Sequence, residues 1–482
     1  MLDHLLLFVN ARRHVVRGPD AFLSLSDYLR RVHGLVGTKI VCSEGDCGAC
    51  TVLIGRPSAD GSRLVYRPVD SCIQFMFQLD GTHIVTVEGL GDETAPSAVQ
   101  QAMIACHGSQ CGFCTPGFVV AMAGLLEEHD ALDEAELRYG LTGNLCRCTG
   151  YTPIIDAGMK TNTAAHERIE TRYPGREMLA EFFSRRGEPI DVQAEWAGEP
   201  HRFASPHDLQ TALQFLQENP HATIIAGATD VGVRINKSLT VPQIILDLNR
   251  VAELESIAME DGEMVFGARA TWTAVEHLCR DLVPEFHKTL VLFGAPQIRH
   301  VGTIGGNIAN ASPIADSLPF LYVMEAVLEL RSTAGVRHVN INDFYKGYKQ
   351  LDLRPGELIA RIRVPLPRSD ELLRLYKVSR RRDLDIASFT AAIRLRLEGD
   401  TIDEAAIAFG AVGPTMIRAR QTEAFLRGRL FDETTLRMAG DVAVQEITPI
   451  SDVRGAADYR YQLTRNILLK FYHETQPMAV PA

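Results

Sequence analysis

The chain reads as a multidomain α+β protein, and three observations carry that reading. Three of its ten cysteines fall within nine residues of the stretch GTKIVCSEGDCGAC, between short apolar runs with strand character. From Ser97 the apolar residues take helical spacing instead, and beyond residue 200 capped helices alternate with buried strands around two glycine-rich loops. A length of 482 residues suits about three domains, since single cores stop growing well below that size. Apolar content of 46% and charged content of 23% are those of ordered globular protein. A net charge of −11 without clustered cations excludes a sequence-independent nucleic-acid binder.

The N-terminus, MLDHLLLFVNARRH, lacks a basic leader region and a small-residue cleavage site. The apolar run PGFVVAMAGLL is shorter than the ~20 residues that span a bilayer, so the expectation is a cytoplasmic chain with no membrane partner. Closely spaced cysteines in such a compartment read as metal ligands rather than disulfides.

In order, Leu5 to Val16 gives two short strands about Asn10 and Ala11, LSLSDYLRRVHGL gives a helix, and TVLIG and RLVYRPV give further strands. Between them Cys42, Cys47 and Cys50 are spaced by four and then two residues, with Cys72 as a candidate fourth thiolate. That spacing suits one 2Fe-2S cluster. Gly45 and Gly48 suit a loop whose backbone must take positive φ and bring N–H groups to sulfur. Zinc is the competing reading, but structural zinc sites pair short knuckles two and two.

The helical stretch runs SAVQQAMIA, GFVVAMAGLLEEH, DEAELRYGL and IIDAGMKTNTAAH. At its breaks lie Cys111 and Cys114 in SQCGFCTPG, and Cys146 and Cys148 in GNLCRCTGY. The 31 residues between the pairs are the length of a helical hairpin, which brings both loops to one end of a bundle. Pro116 and Gly117 suit a helix starting directly after its cysteine. One residue between Cys146 and Cys148 is awkward for a zinc knuckle, so a second 2Fe-2S cluster is expected. Cys106 and Cys279 are expected as packed small hydrophobes.

Residues 166–200 are charged and turn-rich and read as a linker. SPHDLQTALQFLQENP is then a capped amphipathic helix opening a new domain. Neither GxGxxG nor GxxxxGK[ST] occurs, so a Rossmann or P-loop site has no support. The loops IIAGATDVGV and VGTIGGNIANASPIAD do occur, and Gly305, Gly306 and Asn307, with Thr303 and Asn310 beside them, suit a diphosphate-binding nest of N–H groups. Two tight turns are the competing reading. The last hundred residues alternate β-like runs with helices such as RQTEAFLRG.

A Cys42/Cys47/Cys50/Cys72 domain followed by a bundle carrying CGFCTPG and NLCRCTGY resembles the iron-sulfur portion of the molybdenum hydroxylases, the family that includes xanthine dehydrogenase, aldehyde oxidoreductase and carbon monoxide dehydrogenase. Both later glycine loops resemble that family's FAD-binding segments. The resemblance implies a β-grasp plant-type ferredoxin domain over 1–90, a helical-bundle 2Fe-2S domain over 91–165, the linker, an α+β FAD-binding domain over 201–370 and an α/β C-terminal subdomain over 371–482. It implies FAD contacts from Ile224, Ile225, Ala226, Gly227, Ala228, Thr229, Asp230, Val231, Phe293, Thr303, Ile304, Gly305, Gly306, Asn307, Asp316, Ile359 and Lys377. Asp230 stands where some relatives carry glutamate, and Asn310 where some carry threonine. The resemblance implies that Gln110 takes the place of the glutamine that reaches the molybdenum pterin, and that Arg380, Arg381 and Arg382, by default a solvated face, border the flavin and nicotinamide entry.

In function, the resemblance implies an electron-transfer subunit without a hydroxylating acid or base of its own. Electrons from purine (hypoxanthine or xanthine) hydroxylation on a partner would reach the Cys111/Cys114/Cys146/Cys148 cluster, then the Cys42/Cys47/Cys50/Cys72 cluster, then FAD and NAD. Fusion of both clusters with FAD in one chain, with no residues left for a molybdenum domain, resembles the bacterial xanthine dehydrogenase branch. The expected partner is a large subunit holding the molybdenum-pterin cofactor, in a heterotetramer of two small and two large subunits. An aldehyde or other aza-heterocycle dehydrogenase, or a freestanding flavin and iron-sulfur electron carrier, is the alternative.

Overall fold

The computed structural model describes residues 1–196 and 198–476. The chain forms two compact units, Met1–Glu253 with Gly294–Thr303, and Leu254–Phe293 with Ile304–Ala482.

The first unit opens with a five-stranded sheet in the order Arg12–Val16, Leu5–Val9, Thr82–Val85, Thr51–Pro57, Leu64–Asp70. Leu5–Val9 and Thr82–Val85 are parallel and the other pairings antiparallel, the arrangement of a β-grasp domain. The helical turns from Leu25 to Val32 begin at Ser24, whose hydroxyl accepts the Asp27 N–H.

The helical domain follows as Ala98–Ala105, Thr115–Glu128, Glu134–Gly140 and Thr152–Met159. Capping boxes, Ser97 with Gln100 and Asp133 with Glu136, start the first and third. Pro116 sits in the first turn of the second helix, and Cys114 is its N-cap.

Residues 166–200 are not a featureless linker. Helix Arg176–Ser184 seats Phe182 edge-on against Phe8 at 5.7 Å, in the core that the sheet and the bundle share. Strand Ile190–Trp196 forms a hairpin with Glu199–Ser205, and that strand runs parallel to Ile244–Asp247, itself parallel to Thr223–Ile225. After Glu199–Ser205 comes the expected capped helix, Leu209–Glu218, whose N-cap Asp208 accepts the Thr211 N–H at 2.7 Å. The domain expected over 201–370 is also divided. Phe203, Ile225 and Ile245 pack in one core with Phe22 and Phe77 of the ferredoxin domain, so 201–253 belongs to the first unit. Burial of shared apolar surface outweighs sequence adjacency here.

The second unit has an antiparallel sheet in the order Ile257–Glu260, Glu263–Gly267, Leu358–Pro365, Val327–Ser332, Gly335–Asn340. Its core holds Trp272 and the stacked pair Phe286 and Phe320, with centroids 4.1 Å apart. A second sheet, Glu371–Val378, Phe389–Glu398, Thr401–Gly410 and Ile417–Arg418, packs on helices Arg420–Leu426, Glu433–Ala443 and Ala457–Thr475. Cys279 is buried in the first of these cores, and burial pushes its thiol up to about 12; Cys106 packs against the bundle core. No helix among the described residues is long and apolar enough to cross a membrane.

Candidate redox cofactor sites

The loop between Leu25–Val32 and the strand at Thr51 brings the first cysteine set together. The Cys42 thiol lies against those of Cys47 and Cys72, and Cys72 lies against Cys42 and Cys50. Gly45 and Gly48 take φ of 71° and 67°, the left-handed turns the loop requires. The Glu44 N–H points at Cys42 Sγ from 3.5 Å, and the Asp46 backbone also favours the Cys42 thiolate. Hydrogen bonds from Cys47 and Cys72 drive the Cys42 thiol far down, while Cys47 and Cys72 are pushed up chiefly by their bonds to Cys42. One thiol of the set is thereby favoured as thiolate at its neighbours' expense, and all four can ionise together only if a bound cation takes the place of their protons. Bonding to iron meets that need, and the converging N–H groups suit sulfur ligands of a cluster. The residues fit a 2Fe-2S group.

Asp70 lies behind this set, fully buried, with the Cys50 thiol 3.7 Å from Oδ1 and no hydrogen-bond partner for Oδ2 among the described residues. Burial, and then the Cys42 charge, push its carboxyl up to about 7. Helix Val231–Ser238 closes the other side. Asn236 Nδ2 donates to the Ser43 and Cys72 carbonyls at 3.0 and 2.8 Å, and Lys237 donates to the Cys42 carbonyl while pairing with Glu44 at 3.1 Å.

The second set also converges, Cys114 with Cys146 and Cys111 with Cys148. Burial pushes Cys114 up to about 12, with the Cys146 contact adding to it. Burial opposes ionisation of Cys146, but the Thr149 hydroxyl at 3.1 Å and N–H at 3.4 Å outweigh it and lower that thiol. Cys114 also caps a helix, whose N-terminal field favours thiolate. Cys111 and Cys148 face solvent, as do Gln110 and Phe113. The two loops touch: the Leu145 N–H donates to the Cys47 carbonyl at 3.0 Å.

The residues that the resemblance implies for FAD are divided between the two units. In the first, Ile224 and Ile225 end a strand and Ala226 to Asp230 turn into helix Val231–Ser238, with Ala228 at φ 57°. A Cβ at Gly227 would stand 2.1 Å from the Val301 carbonyl oxygen, so only glycine fits. Gln78 and Asn249 donate to the Ala226 carbonyl, each at 2.9 Å, and Gln74 donates to the Gly227 carbonyl at 3.0 Å. Three amides thus hold the loop, a rigid seat of the kind a cofactor requires.

In the second unit Gly305, Gly306 and Asn307 lie in helix Ile304–Asn310 rather than in an open nest. The Ile304 and Gly305 N–H groups are engaged by the Ala270 and Ala268 carbonyls at 3.0 and 2.9 Å. A Cβ at Gly305 would meet the Ala268 carbonyl oxygen at 2.6 Å, so this glycine serves packing, whereas Gly306 is exposed. Lys377 Nζ bonds Asp316 Oδ2 at 2.8 Å and the Leu292 carbonyl at 3.0 Å. Burial pushes Asp316 up against the pull of Lys377, and its Oδ1 has no hydrogen-bond partner among the described residues, an orphaned acceptor that a hydroxyl-rich cofactor would satisfy. Phe293 packs on Trp272 at 5.0 Å, and Ile359 lies at the bulge where Leu358–Pro365 pairs with Leu330. The groups fit FAD. Arg380, Arg381 and Arg382 are exposed in the turn between two strands, with Arg381 paired to Asp385.

Asp70 and Thr149 were not singled out in the sequence although each lies within three residues of a cysteine. Asn236 and Lys237 reach the first set from a segment more than 160 residues away, and nothing local marks them.

Residues 86–159 match the [2Fe-2S] binding domain, 199–367 the FAD binding domain in molybdopterin dehydrogenase, and 374–475 the CO dehydrogenase flavoprotein C-terminal domain. Xanthine dehydrogenase 1 of Arabidopsis thaliana is 30% identical over 97% of this chain and 39% of its own length. Aldehyde oxidase 4 of Cavia porcellus is 29% identical over 98% of this chain and 39% of its own. A chain of the Cu,Mo-CO dehydrogenase in its cyanide-inactivated form superposes with a TM-score of 0.52 at 30% identity, covering 56% of this chain and 94% of that one. The fold and both cysteine sets define an electron-transfer chain of the 2Fe-2S and FAD class. It belongs to the molybdenum hydroxylase family, as that family's 2Fe-2S/FAD module. The chain spans about two fifths of the length of the longer relatives, 39% in both cases named.

Proposed function

We propose that this chain is the iron-sulfur and flavin subunit of a cytoplasmic, NAD-linked xanthine dehydrogenase of the bacterial kind. A separate large subunit would hold the molybdenum-pterin cofactor, in a heterotetramer of two small and two large chains. The observation that carries the reading is the presence of both cysteine sets and both flavin loops in one chain, at 30% identity to a xanthine dehydrogenase over 97% of its length. When bound, the two clusters supply one-electron carriers and FAD the exchange between one-electron and hydride chemistry, linking purine hydroxylation on the partner to NAD.

This chain's own residues hold and orient. Cys111 and Cys148, with Gln110, present the outward edge of the second set, where a pterin-bearing partner would approach. Cys42, Cys47, Cys50 and Cys72 form the inward set, clamped by Asn236 and Lys237 from the helix that follows the first flavin loop. Gln74, Gln78 and Asn249 fix that loop, and Asp316 and Lys377 offer a charged pair to the flavin in the second unit. The likeness to aldehyde oxidase 4 supports a second reading, an aldehyde dehydrogenase with the same electron path.

Co-purification with the partner chain and turnover of hypoxanthine, xanthine and aldehydes with NAD tests the proposal. Purine-dependent NAD reduction is expected. Turnover of aldehydes alone would select the second reading, and absence of any molybdenum-bearing partner would refute both.

A further inference from the structure

The segment Gly294–Thr303 belongs to the first unit although the chain on either side of it belongs to the second. It reaches the loops of both cysteine sets. Ile298 packs with Cys50, Cys72 and Ile73, Arg299 Nη2 donates to the Tyr139 hydroxyl at 2.7 Å, and the His300 ring bonds the Pro68 carbonyl at 2.9 Å. Gln297 stands between the two sets. It is wholly buried, and its Nε2 donates to Asn144 Oδ1 at 2.8 Å.

The direction of this bond is fixed. Asn144 Nδ2 is 3.1 Å from the Gly48 carbonyl, so its donor faces the first loop and its acceptor faces Gln297. The adjacent Leu145 N–H donates to the Cys47 carbonyl at 3.0 Å. The dipeptide Asn144–Leu145, just before Cys146, is therefore bonded twice to the dipeptide Cys47–Gly48. Gln297 holds the one side chain in that clamp. The fit is close: a Cβ at Gly143 would come within 2.0 Å of Gln297 Oε1, which has no hydrogen-bond partner among the described residues. A buried amide kept with one end unpartnered carries a cost that its other end must outweigh.

We infer that Gln297 is a positioning residue for electron transfer between the two clusters, holding Asn144 so that the loops of Cys47 and Cys146 keep a fixed separation. This rests on the reading of both cysteine sets as 2Fe-2S sites. It makes inter-cluster transfer depend on a segment that leads directly into the flavin helix, rather than on the two iron-sulfur domains alone.

The test uses the full chain with its cofactors. Q297M keeps the side chain's length and removes the donor, while Q297E turns an acceptor toward Asn144 Oδ1. N144D, with Gln297 intact, removes the donor to Gly48. In the reduced wild type, two paramagnetic clusters at fixed separation split each other's EPR lines at low temperature. The variants should keep wild-type iron content and each cluster's own g-values, lose or smear that splitting, and pass electrons between clusters more slowly in stopped-flow reduction. Unchanged splitting and rate in folded Q297M and Q297E would overturn the inference, as would simple loss of iron, which marks a structural support only. N144D alone suffices if both Gln297 variants fail to fold: iron retained with splitting lost supports the clamp, and unchanged splitting overturns it. A wild type without EPR-active iron would instead overturn the cluster reading beneath it.

Discussion

Single atoms decide the roles of several residues that look alike in sequence. Gly305 and Gly306 are neighbours, yet Gly305 is buried where a side chain would strike the Ala268 backbone, while Gly306 is exposed. G305V should therefore unfold or loosen the second unit, whereas G306V should fold and lose flavin; full FAD occupancy in folded G306V would move the flavin site elsewhere. Cys47→Ser should remove a ligand of the inward set and stop electrons from reaching the flavin, and unchanged flavin reduction in a folded variant lacking that cluster would contradict the assigned order. His83 is wholly buried, accepts the Ala11 N–H at Nε2 and bonds Tyr66 through Nδ1. A proton on Nε2 would face that N–H, and burial holds the ring down at about 4. Because the folded value lies below the unfolded one near 6.5, the stability it confers is present above that pH and is lost as pH falls toward 4. The loss is about 3 kcal/mol. The drop in urea midpoint between pH 7 and pH 4.5 should shrink in H83Q, and equal drops in both proteins would contradict the assignment.

At the scale of elements, local signals were legible and long-range ones were not. The cysteine spacings over Cys42 to Cys50, Cys111 to Cys114 and Cys146 to Cys148 were readable because they are properties of short stretches; the helices after Ser97 and Asp133 showed in their apolar spacing, and the one after Asp208 in its cap as well. Strand Ile190–Trp196 was missed because its polar alternation resembles a loop until the partner Glu199–Ser205 is in place. Gly305, Gly306 and Asn307 were expected in an open nest of N–H groups; they lie instead in helix Ile304–Asn310, where packing on Ala268 overrides glycine's helix penalty of about 1 kcal/mol. Helix Arg176–Ser184 gives a direct check that its segment is structural. Phe182→Ala should cost about 3–5 kcal/mol in the first unit by opening a cavity beside Phe8. A change below ~0.5 kcal/mol in urea unfolding would restore the linker reading.

For the whole molecule, the account assigns both cysteine sets and the first flavin loop to one unit, and the glycine helix with Asp316 and Lys377 to the other. Loss of flavin in G306V should thus leave iron in place, and dye-linked oxidation by the complete enzyme should survive while NAD reduction disappears. Loss of iron together with flavin would contradict the assignment of iron and the glycine helix to separately folding units. The central claim, that the chain carries two 2Fe-2S clusters and one FAD, is tested most directly by iron, zinc and flavin analysis of the purified chain combined with EPR of its reduced form. Eight thiolates in two sets should give about four irons and one FAD per chain, with two distinct signals because one set is inward and the other solvent-facing. Stoichiometric zinc in a colourless protein would contradict it.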